Sequence, residues 1–405
     1  MPDFDIAGHL ENFSSPDRAP NKTQVETIEI AGRKVARFVN EFWTSRQRQA
    51  ASLHEVAYRA CFKPQLPRLF IELLTAPGDI VYDPFAGCGT TIIEAGLLGR
   101  NIIANDINPL SAMLARPRFF IPDLAALRER LDAIPIRKNA KSNIDLSMFY
   151  HPDTLCEIIA LRAYLLKKDA DDLDAWIKMV ATNRLTGHSS GFFSVYTLPP
   201  NQAVSAQSQE RINRQRAQVP PYRDTRALIL KKSRQLIGGL TMDEIANLKR
   251  AGVCARFLTS DARATRTIKN ASVQLTVTSP PFLDIVQYAQ DNWLRCWFNG
   301  IDEKIIAQKI TTAHNLAEWS AVMQAVFNEL YRITRRGGWV AFEVGEVRNA
   351  KIKLDESIVP LGANAGFECR GILVNQQTFT KTANIWGVKN NARGTNTNRV
   401  VMFCK

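Results

Sequence analysis

The amino-acid sequence predicts an α/β protein: an open, mostly parallel sheet, a long and mainly helical insertion, and an antiparallel C-terminal edge hairpin. Three observations predict it. A strand, a glycine-bearing loop, a helix and a second strand ending in an acid follow one another over residues 80–106. Apolar strand patterns return at Ala255–Leu258 and Gln274–Val277, and again near the C-terminus. Between these blocks the spacing of apolar residues is helical. Strands alternating with helices on both sides of an insertion argue for such a sheet.

Taken in order, residues 1–50 read as a polar N-terminal arm with Ser14, Ser15, Pro16 and Pro20 near its start, and a helical stretch follows near 36–60. Pro67–Leu74 is a short apolar helix ended by Ala76-Pro77-Gly78. Ile80–Tyr82 is a buried strand running into Asp83-Pro84-Phe85-Ala86-Gly87-Cys88-Gly89-Thr90-Thr91. Thr90–Leu98 resumes as helix, Gly99 stops it, and Asn101–Ala104 is a strand ending at Asn105-Asp106. Within 115–250, Leu124–Leu131, Asp153–Lys168 and Thr225–Leu236 have helical spacing. After the returning strands, a helix near 317–335 ends at Arg335-Arg336-Gly337-Gly338. Trp339–Val344, Gly371–Thr378 and Arg399–Phe403 are strand-like, and the last two suit the edge hairpin. The expected organisation is an arm over 1–50, a catalytic domain over 51–115 and 251–405, and an insertion over 116–250.

Composition narrows the class. The chain has 405 residues, 45% hydrophobic and 22% charged, as a globular protein does. No stretch approaches the length of a membrane-spanning helix, and the N-terminus lacks a basic start before an apolar run. The seven cysteines are scattered without a C-x-x-C pair, so neither a disulfide framework nor a metal site is expected, and a reduced cytoplasmic protein fits. The net charge of +13 suits a polyanionic partner, because neutralised phosphates release counterions.

Two motifs carry chemistry. In Asp83-x-Phe85-x-Gly87-x-Gly89 the glycines let backbone N–H groups approach a ligand, and the helix N-terminus that follows favours an anionic group. Asp106, at the end of the next strand, is placed to accept from ribose hydroxyls. A glycine turn needed only for geometry is the bland alternative. In Thr278-Ser279-Pro280-Pro281-Phe282 two prolines fix φ and remove two donors, leaving the Ser279 and Pro280 carbonyls to grip an amino group. Phe282 offers a face on which a base stacks. A surface Pro-Pro strand terminator is the alternative here. The histidines at 9, 54, 151, 188 and 314 form no triad or metal spacing.

Together these residues resemble the amino-methyltransferase family, whose members methylate adenine N6 or cytosine N4 in DNA; the resemblance covers roughly residues 52–120 and 255–405. It implies the Rossmann-like mixed sheet of class I methyltransferases and S-adenosyl-L-methionine as cofactor. On the family pattern the loop with Asp83, Phe85, Gly87, Gly89 and Thr91 cradles the amino-acid part of the cofactor, and Asp106 takes the ribose. Ser260-Asp261-Ala262-Arg263 matches the acid near the adenine amino group. The segment Tyr58–Leu66 looks like the N-terminal cofactor motif, with Phe62 and Pro64 near the methionine part. Ser279-Pro280-Pro281-Phe282 is the serine form of the catalytic tetrapeptide, typical of cytosine-N4 enzymes; adenine N6 is the alternative. Cytosine-C5 chemistry is disfavoured, since no cysteine follows a proline.

Two features depart from the family: the cofactor motif comes first, and about 190 residues separate it from the catalytic motif. By elimination, target recognition falls to the insertion, where residues 184–250 hold eleven Lys/Arg against four Asp/Glu. Near its start stand His188, Phe192, Phe193, Tyr196 and the proline pairs at 199–200 and 220–221, which suit phosphate and base-edge contacts. A second basic stretch, Lys381–Arg399, reads either as a segment that touches the modified strand or as the turn of the edge hairpin. The partners so implied are double-stranded DNA and a cognate restriction endonuclease, with no membrane and no metal, at the nucleoid. An RNA base as substrate and a degenerate, non-catalytic fold stay open.

Overall fold

The computed structural model describes residues 4–14, 22–43, 50–56, 58, 61–137, 140–167, 171–198, 203–281, 291–310, 313, 315–347, 352–376 and 397–405. Eleven strands are described: β1 (Gln24–Ile30), β2 (Arg33–Asn40), β3 (Ile80–Asp83), β4 (Asn101–Asn105), β5 (Arg256–Leu258), β6 (Val273–Thr278), β7 (Thr334–Val344), β8 (Glu346–Val347), β9 (Ile352–Lys353), β10 (Glu368–Gln376) and β11 (Thr397–Cys404). Nine of them form one mixed sheet in the order β1-β2-β10-β11-β7-β6-β3-β4-β5, while β8 and β9 pair separately. The block β7-β6-β3-β4-β5 is parallel throughout.

The central strands are buried on both sides, which is why they read as short continuous apolar runs rather than as an alternation. Every residue of β6 is buried, and its one long polar side chain, Gln274, donates through Nε2 to Leu74 O at 3.0 Å. Alternation along the strands still sorts the two faces. Val81, Ile102, Leu275, Val277, Trp339, Ala341 and Val400 face a core shared with the helices Gln65–Leu74 and Thr90–Leu97. Tyr82, Ile103, Val340, Phe342, Val401 and Phe403 face the helices Leu316–Ile333 and Leu354–Ala365.

Among the described residues seven α-helices lie between β4 and β5: Leu110–Ala115, Leu124–Ala133, Pro152–Leu165, Asp172–Arg184, Ala206–Gln215, Thr225–Ile237 and Met242–Cys254. The insertion is helical as expected. Its buried Leu131, Ile158, Trp176, Ile229 and Leu248 belong to the same apolar core as Ile92 and Val277. Trp176 Nε1 donates to Ser233 Oγ at 2.9 Å, which satisfies the indole as that ring is buried. Gly96 is pressed between Phe119 and Leu248, so the Met242–Cys254 helix docks directly on the Thr90–Leu97 helix. Each fully buried aliphatic or Phe side chain contributes roughly 1.5–3 kcal/mol, so this shared core binds the insertion firmly to the sheet.

The N-terminal region differs from expectation. Instead of an arm and a helix near 36–60, residues 24–40 form the β1–β2 hairpin, turning at Ala31 (φ 48°) and Gly32 (φ 75°), the two positive-φ positions of a type I′ turn. Val35 and Phe38 lie three apart and suggest a helix face. They are buried in opposite cores, as residues of odd separation on a strand must be. The C-terminal hairpin needs a second correction. β10 and β11 do pair antiparallel, but neither is an edge: β11 sits between β7 and β10, and β2 adds in parallel to the far side of β10. The edges of the sheet are β1 and β5. No helix among the described residues is long and apolar enough to cross a membrane.

Candidate active site

β3, β4, β5, β6 and β7 run parallel, so the loops after all five leave the same edge of the sheet, where ligands of open α/β sheets bind. The two motifs meet there. Thr278 Oγ1 donates to Asp83 Oδ1 at 2.6 Å, and Thr91 Oγ1 donates to Val277 O at 3.1 Å. The loop at 83–91 and the turn at 278–281 are therefore tied at both ends of the first.

The glycine loop has left-handed φ at Gly87 (51°) and Gly89 (87°). A Cβ on Gly89 would stand 2.7 Å from Ala115 Cβ, so this position admits no side chain without movement. Gly87 N–H donates to Asp106 Oδ2 at 2.9 Å, and Asn108 N–H donates to Asp106 Oδ1 at 2.9 Å. Asp106 thus closes the loop from β4 as well as facing the strand ends. Phe85 N–H donates to Asp83 Oδ1 at 3.1 Å and leaves its ring half-buried against the second core.

Both carboxyls are perturbed. Burial pushes Asp83 up to about 7, against the bonds from Thr278 and Phe85 N–H. Burial pushes Asp106 up to about 6, against its two backbone donors. Among the described residues neither forms an ion pair; the nearest cation at the loop, Arg118, is engaged by the Cys88 carbonyl.

Phe62 and Pro64 are half-buried; Phe62 packs on the first core and Pro64 opens the Gln65–Leu74 helix. Their segment lies on the glycine loop, because Tyr58 is buried with its ring 3.6 Å from where a Gly87 Cβ would be. Cys61 Sγ also approaches Cys88 Sγ to 2.8 Å. That contact, with the Arg118 guanidinium nearby, holds the Cys88 thiol below its usual range. Tyr58 and Cys61 stand in the segment, and Cys88 in the loop, that the sequence singles out, but their contacts with one another are made only by the fold.

Asp261 follows β5 at the expected edge, but its carboxylate is engaged by its own neighbour. Arg263 donates from Nε at 2.9 Å to Oδ1 and from Nη2 at 2.6 Å to Oδ2, which holds the acid below the usual carboxylate range.

In the second motif Ser279 is half-buried and Pro280 buried. Pro281 O accepts from Trp319 Nε1 at 3.0 Å, which anchors the turn to the Leu316–Ile333 helix. Ser279 Oγ donates to Glu343 Oε2 at 2.5 Å, and Asn398 Nδ2 donates to Glu343 Oε1 at 3.1 Å. Glu343 was not singled out from sequence; its signal is one acid in the apolar run Trp339–Val344. Phe282 lies outside the described residues, as do Pro199, Pro200, His314 and residues 381–396 of the second basic stretch.

The basic part of the insertion divides in two. Arg184, Phe192 and Phe193 are buried, with Arg184 Cζ stacked 4.0 Å from the Phe192 ring centroid, and Lys232 pairs with Glu55 at 2.7 Å. Arg211, Arg214, Arg216, Lys231 and Arg234 are exposed. Arg216 also lies over the Tyr196 ring at 3.9 Å. The structural members of this cluster were indistinguishable by composition from the solvent-facing ones.

A family model described as DNA methylase matches residues 12–115, which include the glycine loop and Asp106. Type II methyltransferase M.MjaII of Methanocaldococcus jannaschii is 33% identical over 88 residues, 22% of this chain and 17% of that protein. Type II methyltransferase M.BsoBI of Geobacillus stearothermophilus is 30% identical over 122 residues, 30% of this chain and 24% of that protein. A tRNA (guanine(10)-N2)-dimethyltransferase of M. jannaschii is 40% identical over 63 residues, 15% of this chain and 18% of that protein. The chain thus spans less than a quarter of the length of each relative. Over residues 12–115 the chain is thus similar to DNA methylases, and its likeness to the Type II enzymes is of the same kind.

Proposed function

We propose that the protein transfers a methyl group from S-adenosyl-L-methionine to the exocyclic amino group of a flipped base in double-stranded DNA, with cytosine N4 the favoured acceptor. The observation that carries this reading is the bond between Thr278 and Asp83, which sets the amino-gripping turn beside the glycine loop.

The cofactor fits the residues present. A buried Asp83 and a half-buried Asp106, neither ion-paired among the described residues, suit a ligand bearing sulfonium and ammonium charges. Asp106 would hold the ribose, the loop from Asp83 through Gly89 to Thr91 the amino-acid part, and Asp261 the adenine once Arg263 yields. Phe62 and Pro64 would flank the methionine chain. When bound, the cofactor supplies an electrophilic methyl on sulfur.

The chain's own residues do the rest. Ser279 and the Pro280 carbonyl accept from the amino N–H groups and localise the nitrogen lone pair, and Phe282 stacks on the base. The acceptor nitrogen gains a C–N bond as the donor's C–S bond breaks, then sheds one proton. Alignment of the two loops is the main contribution, and no covalent enzyme adduct is needed. Exposed Arg211, Arg214, Arg216, Lys231 and Arg234 contact phosphates. The work is done at the nucleoid in the cytoplasm, and a restriction endonuclease of matching specificity is the partner this implies.

Serine in the tetrapeptide favours cytosine N4 over adenine N6. The tRNA-modifying relative favours a second reading, an RNA amino group as acceptor. Methyl incorporation into duplex DNA and into total RNA, followed by mass analysis of the released nucleosides, separates all three. Ser279→Ala should lower transfer about a hundredfold while cofactor affinity stays within a few-fold; normal turnover would reject the role given to Ser279.

A further inference from the structure

Glu343 is 6% exposed, lies near the end of a strand that is buried from Gly338 onward, and has no cationic partner among the described residues. Burial pushes its carboxyl above the usual range, and its two hydrogen bonds oppose that. A buried acid in an apolar strand is costly and calls for a reason. Register gives its setting. Thr278 pairs with Phe342 and Val400 with Glu343, so Ser279, Glu343 and Asn398 stand on one face at the ends of β6, β7 and β11. Asn375 of β10 is the register partner of Asn398; its Oδ1 accepts from Trp43 N–H at 3.1 Å, while its Nδ2 has no partner among the described residues. The charged groups on the neighbouring strands turn elsewhere: Asp83 to Thr278, and Arg399, on the opposite sheet face, to Asp355 at 2.9 Å.

Both contacts made by Glu343 come from donors, at 2.5 Å from Ser279 and 3.1 Å from Asn398. A carboxylate accepts at both oxygens, whereas a carboxylic acid must donate at one. A hydroxyl has one proton and two lone pairs. With its proton committed to Glu343, Ser279 shows only lone pairs to the pocket. We propose that Glu343 is a positioning residue that fixes Ser279 as an obligate hydrogen-bond acceptor and so matches it to an amino group rather than to a ring nitrogen or carbonyl. The inference rests on the amino-methyl-transfer reading above. Protonating Glu343 reverses the bond: the acid donates to Ser279 Oγ, and the freed hydroxyl proton turns toward the substrate. An N–H then faces an O–H, or the hydroxyl captures the lone pair that attacks.

The test uses the full chain, duplex DNA and S-adenosylmethionine, with kcat at saturation followed against pH and cofactor affinity by calorimetry. In Glu343→Gln the single carbonyl is contested by Asn398 and Ser279, so kcat should fall at least tenfold with cofactor Kd within twofold. The loss of activity at acid pH should vanish with it. In a Ser279→Ala background the same change should add less than twofold, because Glu343 acts through the hydroxyl. A Glu343→Gln enzyme within twofold of wild type, or full multiplication of the two defects, overturns the proposal. Should Glu343→Gln fail to fold, wild type and Ser279→Ala still decide: the acid limb of kcat must be present in the first and missing in the second, and identical limbs overturn it. Wild-type methylation of an amino nitrogen, read by nucleoside mass, tests the underlying reading separately; its absence removes both.

Discussion

Gly89→Ala is the substitution whose cost the structure specifies best. The residue holds φ at 87°, where an L side chain costs roughly 1–2 kcal/mol. Its new Cβ would meet Ala115 Cβ at 2.7 Å, with Ile92 and the Arg118 guanidinium at 3.3 Å. Ala115 has no rotamer to yield, and Arg118 is held by bonds to Leu53 O at 3.2 Å, Leu114 O at 3.1 Å and the Cys88 carbonyl. Overpacking of this kind adds about 1–3 kcal/mol, for a total of about 2–5 kcal/mol. Gly87→Ala is the internal control: φ is 51° and the nearest atom is a Tyr58 ring carbon at 3.6 Å, ordinary contact distance. Only the conformational cost of about 1–2 kcal/mol applies there. Urea midpoints at unchanged m would measure both, and calorimetry would follow cofactor affinity. A Gly89→Ala protein within 0.5 kcal/mol of wild type, or a Gly87→Ala protein less stable than it, would show that the loop is not packed as described.

Three further outcomes are expected. Asp83 holds its proton to about 7 when folded and to 3.8 when unfolded, so its contribution to stability declines as pH rises between those values. Removal of that acid in Asp83→Asn should raise stability relative to wild type by up to about 1.4 kcal/mol per pH unit across the window; a pH-independent difference in urea midpoints would contradict the assignment. Arg263→Ala should change stability by under about 0.5 kcal/mol, since the pair is 42% exposed on each side, and should tighten cofactor binding by freeing Asp261; weaker binding in calorimetry would argue against a cofactor role for that acid. Replacing Arg211, Arg214 and Arg216 together with Ala should weaken DNA binding and flatten the slope of log affinity against log salt by about 2–3, whereas an unchanged slope in a titration series would remove this face from the DNA.

What could be read from the chain alone was whatever is written locally. The glycine loop, the strand before it and the Ser279-Pro280-Pro281 turn each depend on φ limits and missing donors that adjacent residues impose. The parallel strands were legible because burial on both sides leaves short uninterrupted apolar runs. The N-terminal hairpin was hidden by the same physics: Val35 and Phe38 serve opposite faces of β2, and their spacing mimics a helix. The place of β11 was hidden too, since antiparallel pairing with β10 does not say which third strand it meets. Glu343 looked like an interruption in a strand until Ser279 and Asn398, 64 and 55 residues away in sequence, came to its two oxygens. The reach of Arg263 for Asp261 is a contest between a local partner and a distant one, which sequence spacing does not decide.

The interior position of β11 also makes it the keystone of the sheet's ladder. Among the described strands β11 alone bridges β7 to β10, and β10 in turn is the dock for β1–β2. Without residues 397–404 the hydrogen-bonded ladder breaks between the half that holds the glycine loop and the half that holds the N-terminal hairpin, and only side-chain packing joins them. Zipping of this one segment joins them, and it delivers Asn398 to Glu343 in the same stroke.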